Sequence, residues 1–329
     1  MSYKKHIASF AGMSPFCSFF EKRIKMPRIL FYHGVIEKPY HNRIVQANQI
    51  QFKDFIKQIK YLKKHYHFIS TDEFYERFTA KDIFKGNEII LTFDDGYKNN
   101  LSVAAPFLIE TGIPFTIFIS TNIVDKEGFV PTYMVRSALM SPFLTELDIP
   151  FIQKKFILKS ERLRLNAMDD LINRIKTEDD KLVNDIIDCI EDQFGREKRE
   201  ETNCLFESER IMSWNDARIL KEMGVIIGSH TEDHSILHKK QKKEDIEHQI
   251  KRSYNKIEGH LGNCKYFAFP NGDRKSVCED SIKVAKDTYL MSFAVTGKAV
   301  SYFNSPAFIS RIGASFDLNI LKTQLSLLA

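Results

Sequence analysis

The segment Glu88–Phe93 (EIILTF) is a nearly continuous apolar run with β-branched residues, and it stops on Asp94-Asp95-Gly96. A strand apolar on both of its alternating faces suits the centre of a parallel sheet covered on both sides. Comparable runs recur at Arg28–Tyr32 (RILFY), His67–Ser70, Phe115–Ser120 (FTIFIS), Val225–Gly228 (VIIG), Tyr266–Phe269, Tyr289–Phe293 and Phe308–Ile312. Between them lie segments of helical period. Gln49–Tyr66 sets Phe52, Phe55, Ile56, Ile59 and Leu62 on one face. Asp72–Phe78, Asn99–Glu110, Trp214–Met223 (capped by Ser213), Asp245–Leu261, Val277–Lys286 and Phe316–Leu328 read the same way. This alternation predicts an α/β fold, a barrel or partial barrel.

The rhythm breaks between Asp125 and Ser208. No clear strand is visible there, and Pro150–Lys159, Leu163–Lys176 and Asp180–Phe194 read as charged helices. Gly195–Thr202 (GREKREET) reads as a solvated turn or linker. The expected organisation is therefore an N-terminal segment 1–27, a barrel formed by 28–124 and 209–329, and a helical insertion 125–208.

The chain has 329 residues, 43% of them apolar, enough for a sizeable core. A net charge of +5 is modest, and one basic run, Lys239, Lys240, Lys242 and Lys243, reads as a solvated helix start or as a face for an anionic partner. No basic and aromatic stripe accompanies it, so nucleic acid is not an expected partner. Cys17, Cys189, Cys204, Cys264 and Cys278 form neither a metal-ligand spacing nor a disulfide framework, which suits a reducing cytoplasm. The stretch from Ile7 to Phe20 is interrupted by Pro15 and is too short to span a bilayer. An export segment, a peripheral membrane contact and a docked N-terminus all remain open for it.

The chemistry lies just past the strands. In α/β barrels, residues beyond the carboxyl ends of strands line the active site. Asp94, Asp95, His33, the His230/His234 pair and the turn Pro270-Asn271-Gly272 all fall there. Two adjacent carboxylates repel unless a bound cation uses the charge of one and leaves the other as a proton acceptor. His230 and His234 face one way if the chain turns helical between them. An Asp-His-His set suits zinc or another first-row metal with positions open for water and substrate. Each piece has a plainer reading: a DDG turn is common, and histidines four apart occur on ordinary helix surfaces, as nearby His238 illustrates. Their joint placement carries the argument.

Thr92–Gly96 (TFDDG), His230–His234 (HTEDH) and Phe267–Gly272 (FAFPNG) resemble the three signatures of the polysaccharide deacetylase family, the NodB-homology enzymes of carbohydrate esterase family 4. Tyr32–Gly34 (YHG) is similar to the first strand of many members. The resemblance covers Arg28–Ser120 and Ser213–Ile312. It leaves out the helical insertion, and implies a distorted (β/α) barrel of about seven strands and removal of N-acetyl or occasionally O-acetyl groups from sugars. It implies Asp94 as catalytic base, Asp95, His230 and His234 as metal ligands, and the backbone N–H of Asn271 in the oxyanion hole.

Three departures qualify it. Asn271 stands where the family places an aromatic. Ala268 stands where many members carry an arginine that orients the base. Arg311 is a candidate for that cation, against a structural ion pair or a solvent-facing side chain. No histidine follows His260, so the late general acid of many members is missing. Asp94, metal-bound water or His33 would supply the proton, though His33 also reads as a structural residue beneath the site. Trp214, Phe129, Tyr133, Phe143, Tyr302 and Phe303 are candidate cleft aromatics or core.

The expected function is metal-dependent removal of an N-acetyl group from a sugar. Zinc is the expected metal, with cobalt, nickel or manganese as alternatives. The expected substrate is a nucleotide-linked, lipid-linked or oligosaccharide intermediate of surface polysaccharide synthesis. The expected place is the cytoplasm or the inner face of the membrane. Hydrolysis of another small amide, and a non-catalytic carbohydrate-binding protein on the same scaffold, are the rivals.

Overall fold

Parallel strands need crossover connections, and most of the helical segments supply them. The computed structural model describes residues 26–297, 300–301 and 304–327. It begins with β1 (Arg28–Tyr32), a parallel pair β2 (Gly34–Ile36) and β3 (Gln49–Gln51), and the short β4 (His67–Phe68). Then come β5 (Glu88–Phe93), β6 (Phe115–Ile119) and an antiparallel hairpin of β7 (Glu146–Ile149) and β8 (Lys154–Ile157). The last are β9 (Ile226–Ser229), β10 (Tyr266–Ala268), β11 (Met291–Ala294), β12 (Ile309–Ser310) and β13 (Ile312–Gly313). The main sheet runs β12-β11-β10-β9-β6-β5-β1-β13, all parallel, and β4 pairs with the start of β5.

The two ends of that order are halves of one bent strand. β12 pairs with β11 through Phe293↔Ile309 and Ala294↔Ser310, and β13 pairs with β1 through Leu30↔Ile312 and Phe31↔Gly313. Only Arg311 lies between them, so the chain changes neighbours within one residue and the sheet closes into a barrel. Counting the bent strand once gives seven staves, in keeping with the (β/α) barrel that the family resemblance implies.

Alternation along the strands makes two apolar layers. Ile29, Ile90, Phe118, Ala268, Phe293 and Ile309 share one buried cluster, consistent with the barrel interior. Leu30, Leu91, Ile117, Ile227 and Phe267 belong to another, packed with Phe55, Ile59 and Leu62 of helix Phe52–His65 and Ile246, Ile250 and Ile257 of helix Lys243–Leu261. Each such side chain contributes roughly 1.5–3 kcal/mol on burial, and a slip of one residue would exchange the two layers. Register is therefore strongly fixed.

A third cluster lies between β6 and β9 in sequence. Val135, Leu139, Leu147, Ile149, Leu171, Ile186 and Ile190 pack together there, on helices Pro131–Met140, Glu161–Thr177 and Asp180–Phe194 and on β7. Two expectations for this stretch need correction. Pro150–Lys159 is not a helix: β7 and β8 form a hairpin, with Leu147 and Ile149 buried on alternate positions and Gln153 in the left-handed region at the turn. Gly195–Thr202 is not a linker: Arg196–Leu205 is helical, started by Gly195 and anchored by buried Arg199, which bonds Glu191 and Ser137.

Smaller differences lie elsewhere. Gln49–Gln51 forms β3 before its helix begins, and Asn100–Ala104 is a π turn preceding helix Ala105–Glu110. Ser213 caps helix Trp214–Glu222 as expected, through a reciprocal bond with Asp216. The basic run ends as a helix start, with Lys240 paired to Glu178. Ile7–Phe20, Cys17, Tyr302 and Phe303 lie outside the described residues. Among the described residues, no helix is long and apolar enough to cross a membrane.

Gly228 tests the interior packing. A Cβ there would lie 2.7 Å from the Phe118 ring and 2.8 Å from the Tyr266 carbonyl oxygen. Gly228→Ala is expected to destabilise the fold by about 1–3 kcal/mol, the usual cost of overpacking. Urea denaturation checks this; an unchanged midpoint would mean the strands are not packed this closely.

Candidate metal and hydrolytic site

The strand ends of β1, β5, β9, β10 and β11 converge on a cavity of about 510 Å³. It is lined by His33, Asp94, Asp95, His230, His234 and Asn271 among others. Six of the residues singled out in the sequence therefore share one cavity, and Arg311 lies behind it in the barrel interior.

Asp95 leaves β5 with φ +72°, followed by Gly96 at +78°. A Cβ on Gly96 would sit 2.7 Å from Ile119, so the turn requires glycine both for its backbone and for space. The returning chain clamps this turn: Met212 N–H donates to Gly96 O, and Lys98 N–H donates to Arg210 O.

The histidines arrive by a route the sequence did not suggest. Residues 230–238 are not helical; Thr231 (φ +67°) and His234 (φ +60°) instead fold the backbone into an irregular loop. Ser120 Oγ donates to His230 O, the N–H groups of Thr121 and Asn122 donate to Thr231 O and Glu232 O, and Gln249 Oε1 accepts from the N–H groups of Glu232 and Asp233. Buried Glu232 also meets His248, Arg252 and Lys256, tying the loop to helix Lys243–Leu261. The turn, rather than helical period, brings the two imidazoles together.

Asp95 Oδ1 lies 3.1 Å from His234 Nε2 and 3.6 Å from His230 Nε2, without a hydrogen bond of normal geometry to either. All three donor atoms fall within 4.8 Å of one another. Bonds of about 2.1 Å at tetrahedral angles would set donors about 3.4 Å apart, so the set fits a divalent metal. His230 Nδ1 lies 2.7 Å from Ala268 O; a proton there leaves Nε2 free as ligand. Burial pushes His230 down to about 4, favouring the neutral ring that a ligand needs. Burial also opposes protonation of His234, but the Asp95 charge outweighs it and raises that ring. For Asp95, burial acts upward, yet the charges of His234 and its neighbours hold the carboxyl well below the usual range.

Asp94 is held differently. Arg311 Nη1 donates to its Oδ1 at 2.7 Å and Nη2 to its Oδ2 at 2.8 Å, both residues being buried. Arg311 Nη1 also reaches Thr92 Oγ1, and the guanidinium lies over the rings of Phe31 and Phe118. Arg311 is thus not solvent-facing. Burial raises the Asp94 carboxyl, but the Arg311 charge overrides it and the net shift is downward. Where the family resemblance expects an arginine on β10, small Ala268 sits in the interior cluster and the cation arrives from the bent strand instead.

Asn271 has φ +58° and donates through Nδ2 to Ser276 Oγ at 2.5 Å; among the described residues its backbone N–H meets no acceptor. His33 lines the cavity, and its carbonyl accepts from Asn100 Nδ2. His238 is no part of the ligand set: its Nε2 lies 3.1 Å from Glu178 O.

The cleft aromatics differ from those expected. Phe129 and Tyr133 stack on each other away from the cavity, Phe143 is surface-exposed, and Trp214 stacks on His260 while donating to Asp125. Phe31 and Phe269 line the cavity instead. Sequence reasoning also missed Arg136, Met168, Asp169, Ile172, Ile175 and Lys176, which line it too. Their helical spacing signalled only packing.

Removing one partner of a buried ion pair typically costs about 3–5 kcal/mol because a charge is left uncompensated. Arg311→Met is expected to lose stability on that scale, and adding Asp94→Asn to it should restore a substantial part. A double-mutant cycle by denaturation reads the coupling. Strict additivity would mean that the pair contributes no coupling.

Residues 81–290, more than half of the chain, match the polysaccharide deacetylase family. No curated protein matches the chain. Among solved structures it is similar to the Streptococcus pyogenes deacetylase PplD in complex with acetate, at 16% identity and TM-score 0.56, over 88% of this chain and 92% of that one. It is similar to IcaB from Ammonifex degensii at 15% identity and TM-score 0.54, over 92% and 97%. A de-N-acetylase from Aggregatibacter actinomycetemcomitans aligns at 16% identity and TM-score 0.54, over 87% and 94%. At such identities the likeness is one of fold. The family match shows the rest: this chain belongs to the polysaccharide deacetylase family and is a sugar deacetylase, a hydrolase acting on sugar C–N bonds.

Proposed function

We propose that this protein removes an N-acetyl group from a sugar with the help of a divalent metal, zinc in the first instance, held by Asp95, His230 and His234. The observation that carries this reading is the buried Asp95 Oδ1 between two imidazole Nε2 atoms, beside a second carboxylate clamped by Arg311. Such a metal supplies Lewis acidity, polarising the acetyl carbonyl and making water nucleophilic near neutral pH.

The chain's own residues do the remainder. Asp94, ionised and oriented by Arg311, accepts the proton from the attacking water at a carboxylate oxygen. The backbone N–H of Asn271 donates to the developing oxyanion as the acetyl carbon becomes tetrahedral. Protonated Asp94 then returns the proton to the departing sugar nitrogen, which releases acetate and the free amine. His33 is the one cavity histidine outside the ligand set among the described residues, and it is the alternative donor for that last step.

The substrate in this reading is a nucleotide-linked, lipid-linked or oligosaccharide intermediate of surface polysaccharide synthesis. The cytoplasm, or the inner face of its membrane, is where the protein would meet it. The four described cysteines are free thiols, which supports a reducing compartment.

Acetate release by metal-stripped protein, before and after zinc or cobalt is restored, tests the proposal. The panel holds N-acetylated sugars in free, nucleotide-linked, lipid-linked and polymeric forms. Metal-dependent release is expected, reduced by about 10²-fold or more in Asp94→Asn, the scale of general acid–base catalysis. Metal binding without release from any form would move the activity to another amide. Neither binding nor release would favour a carbohydrate-binding role.

A further inference from the structure

Four arginines are buried among the described residues, and three of them are hydrogen-bonded in full view. Arg28 donates to Leu325 O and Gly86 O. Arg199 donates to both Glu191 oxygens, Ser137 Oγ and Met134 O. Arg311 clamps Asp94 and reaches Thr92. The fourth, Arg136, is 7% exposed; its Nε and Nη2 are closed off from solvent and have no hydrogen-bond partner, and Nη1 is not among the closed-off atoms.

Arg136 lies on helix Pro131–Met140 and lines the same cavity as Asp94, Asp95, His230 and His234. Its nearest countercharge is Glu209 Oε2 at 3.8 Å, beyond hydrogen-bond reach. Glu209 is itself fully buried, and neither of its oxygens has a hydrogen-bond partner. Burial pushes Glu209 up to about 8 against the opposing charge of Arg136, so near neutral pH it is largely protonated and compensates the guanidinium poorly. The other three each donate at least two hydrogen bonds, and Arg311 leaves only Nε without a partner, whereas no hydrogen bond from the Arg136 guanidinium is formed among the described residues. An Arg–Glu contact without hydrogen bonds repays little of its desolvation.

A guanidinium is a strong charge-assisted donor to a carboxylate or a phosphate, and Nη1 is the nitrogen that a ligand in the cavity would meet. The same segment lines the cavity with apolar Met168, Ile172 and Ile175 and with the charged Asp169 and Lys176. We propose that Arg136 binds the substrate, donating to an oxyanion, carboxylate or phosphate, carried next to the N-acetyl sugar. The proposal rests on the deacetylase reading and narrows its substrate to acidic glycans or sugar phosphates. Arg136 is then a specificity-determining residue.

The test measures binding to metal-stripped full-length protein, which needs no turnover, alongside acetate release from metal-restored protein. Three probes are used: tetra-N-acetylchitotetraose as the neutral ligand, a hyaluronan tetrasaccharide for a carboxylate, and N-acetylglucosamine 1-phosphate for a phosphate. The wild type is expected to bind one acidic probe at least about tenfold tighter than the neutral one, the lower range for a charge-assisted hydrogen bond. Which acidic probe prevails names the oxyanion. Arg136→Met should abolish the preference while leaving neutral binding within about twofold. Arg136→Lys, which keeps the charge but not the planar guanidinium, should retain part of it and serves alone if the Met variant fails to fold by circular dichroism. Equal binding of all probes, no binding of any, or a loss equal for neutral and acidic ligands would overturn the proposal. Acetate released from the neutral tetramer with no acidic preference would remove Arg136 from recognition and leave the deacetylase standing. Acidic preference without acetate release from any probe would do the reverse.

Discussion

The contact on which the rest of the structure depends is the two-pronged bond from Arg311 to Asp94. It joins the seam of the barrel to its chemistry. Arg311 is the single residue at which the last strand leaves β11 for β1, and its side chain turns inward to the carboxylate at the end of β5. A buried ion pair is favourable only when most of its polar atoms are satisfied. Here both Asp94 oxygens are bonded, Thr92 takes a further donor, and aromatic rings cover the guanidinium. Closing the barrel therefore also fixes the orientation of Asp94.

Two adjacent carboxylates can coexist because their surroundings differ. Asp94 spends its charge on an arginine inside the protein, whereas Asp95, one residue on and turned by a positive φ, faces two imidazoles. The loop bearing those imidazoles is held by Ser120, Gln249 and the buried Glu232 cluster. Site geometry thus comes from strand ends and from hydrogen bonds between loops. The segment between β6 and β9 adds further lining in which apolar Met168, Ile172 and Ile175 alternate with Arg136, Asp169 and Lys176.

Much of this was legible in the sequence, for physical reasons. EIILTF and FTIFIS are apolar on both faces, so their strand character and the position of Asp94 and Asp95 at a strand end follow directly. The histidine pair was legible as a pair, but its geometry was not. Helical period predicts the right proximity for the wrong reason, since the left-handed residues Thr231 and His234 leave no side-chain signature. Arg311 was visible as a cation near a strand end, while the bend that aims it depends on pairing with two distant strands. The β7–β8 hairpin was obscured by Pro150 and by Lys154 and Lys155, which interrupt its short alternation. Arg136 stayed hidden because PTYMVRSALM is buried nearly all round and reads as packing alone.

The central claim is that Asp95, His230 and His234 together hold a divalent metal beside Asp94. The most direct test is X-ray absorption spectroscopy on the cobalt-loaded protein, repeated on His230→Ala and His234→Ala. The account predicts a first shell containing two imidazole nitrogens and carboxylate oxygen, with one imidazole lost in each variant. A wild-type shell made of oxygen alone, or one unchanged by both substitutions, would contradict it.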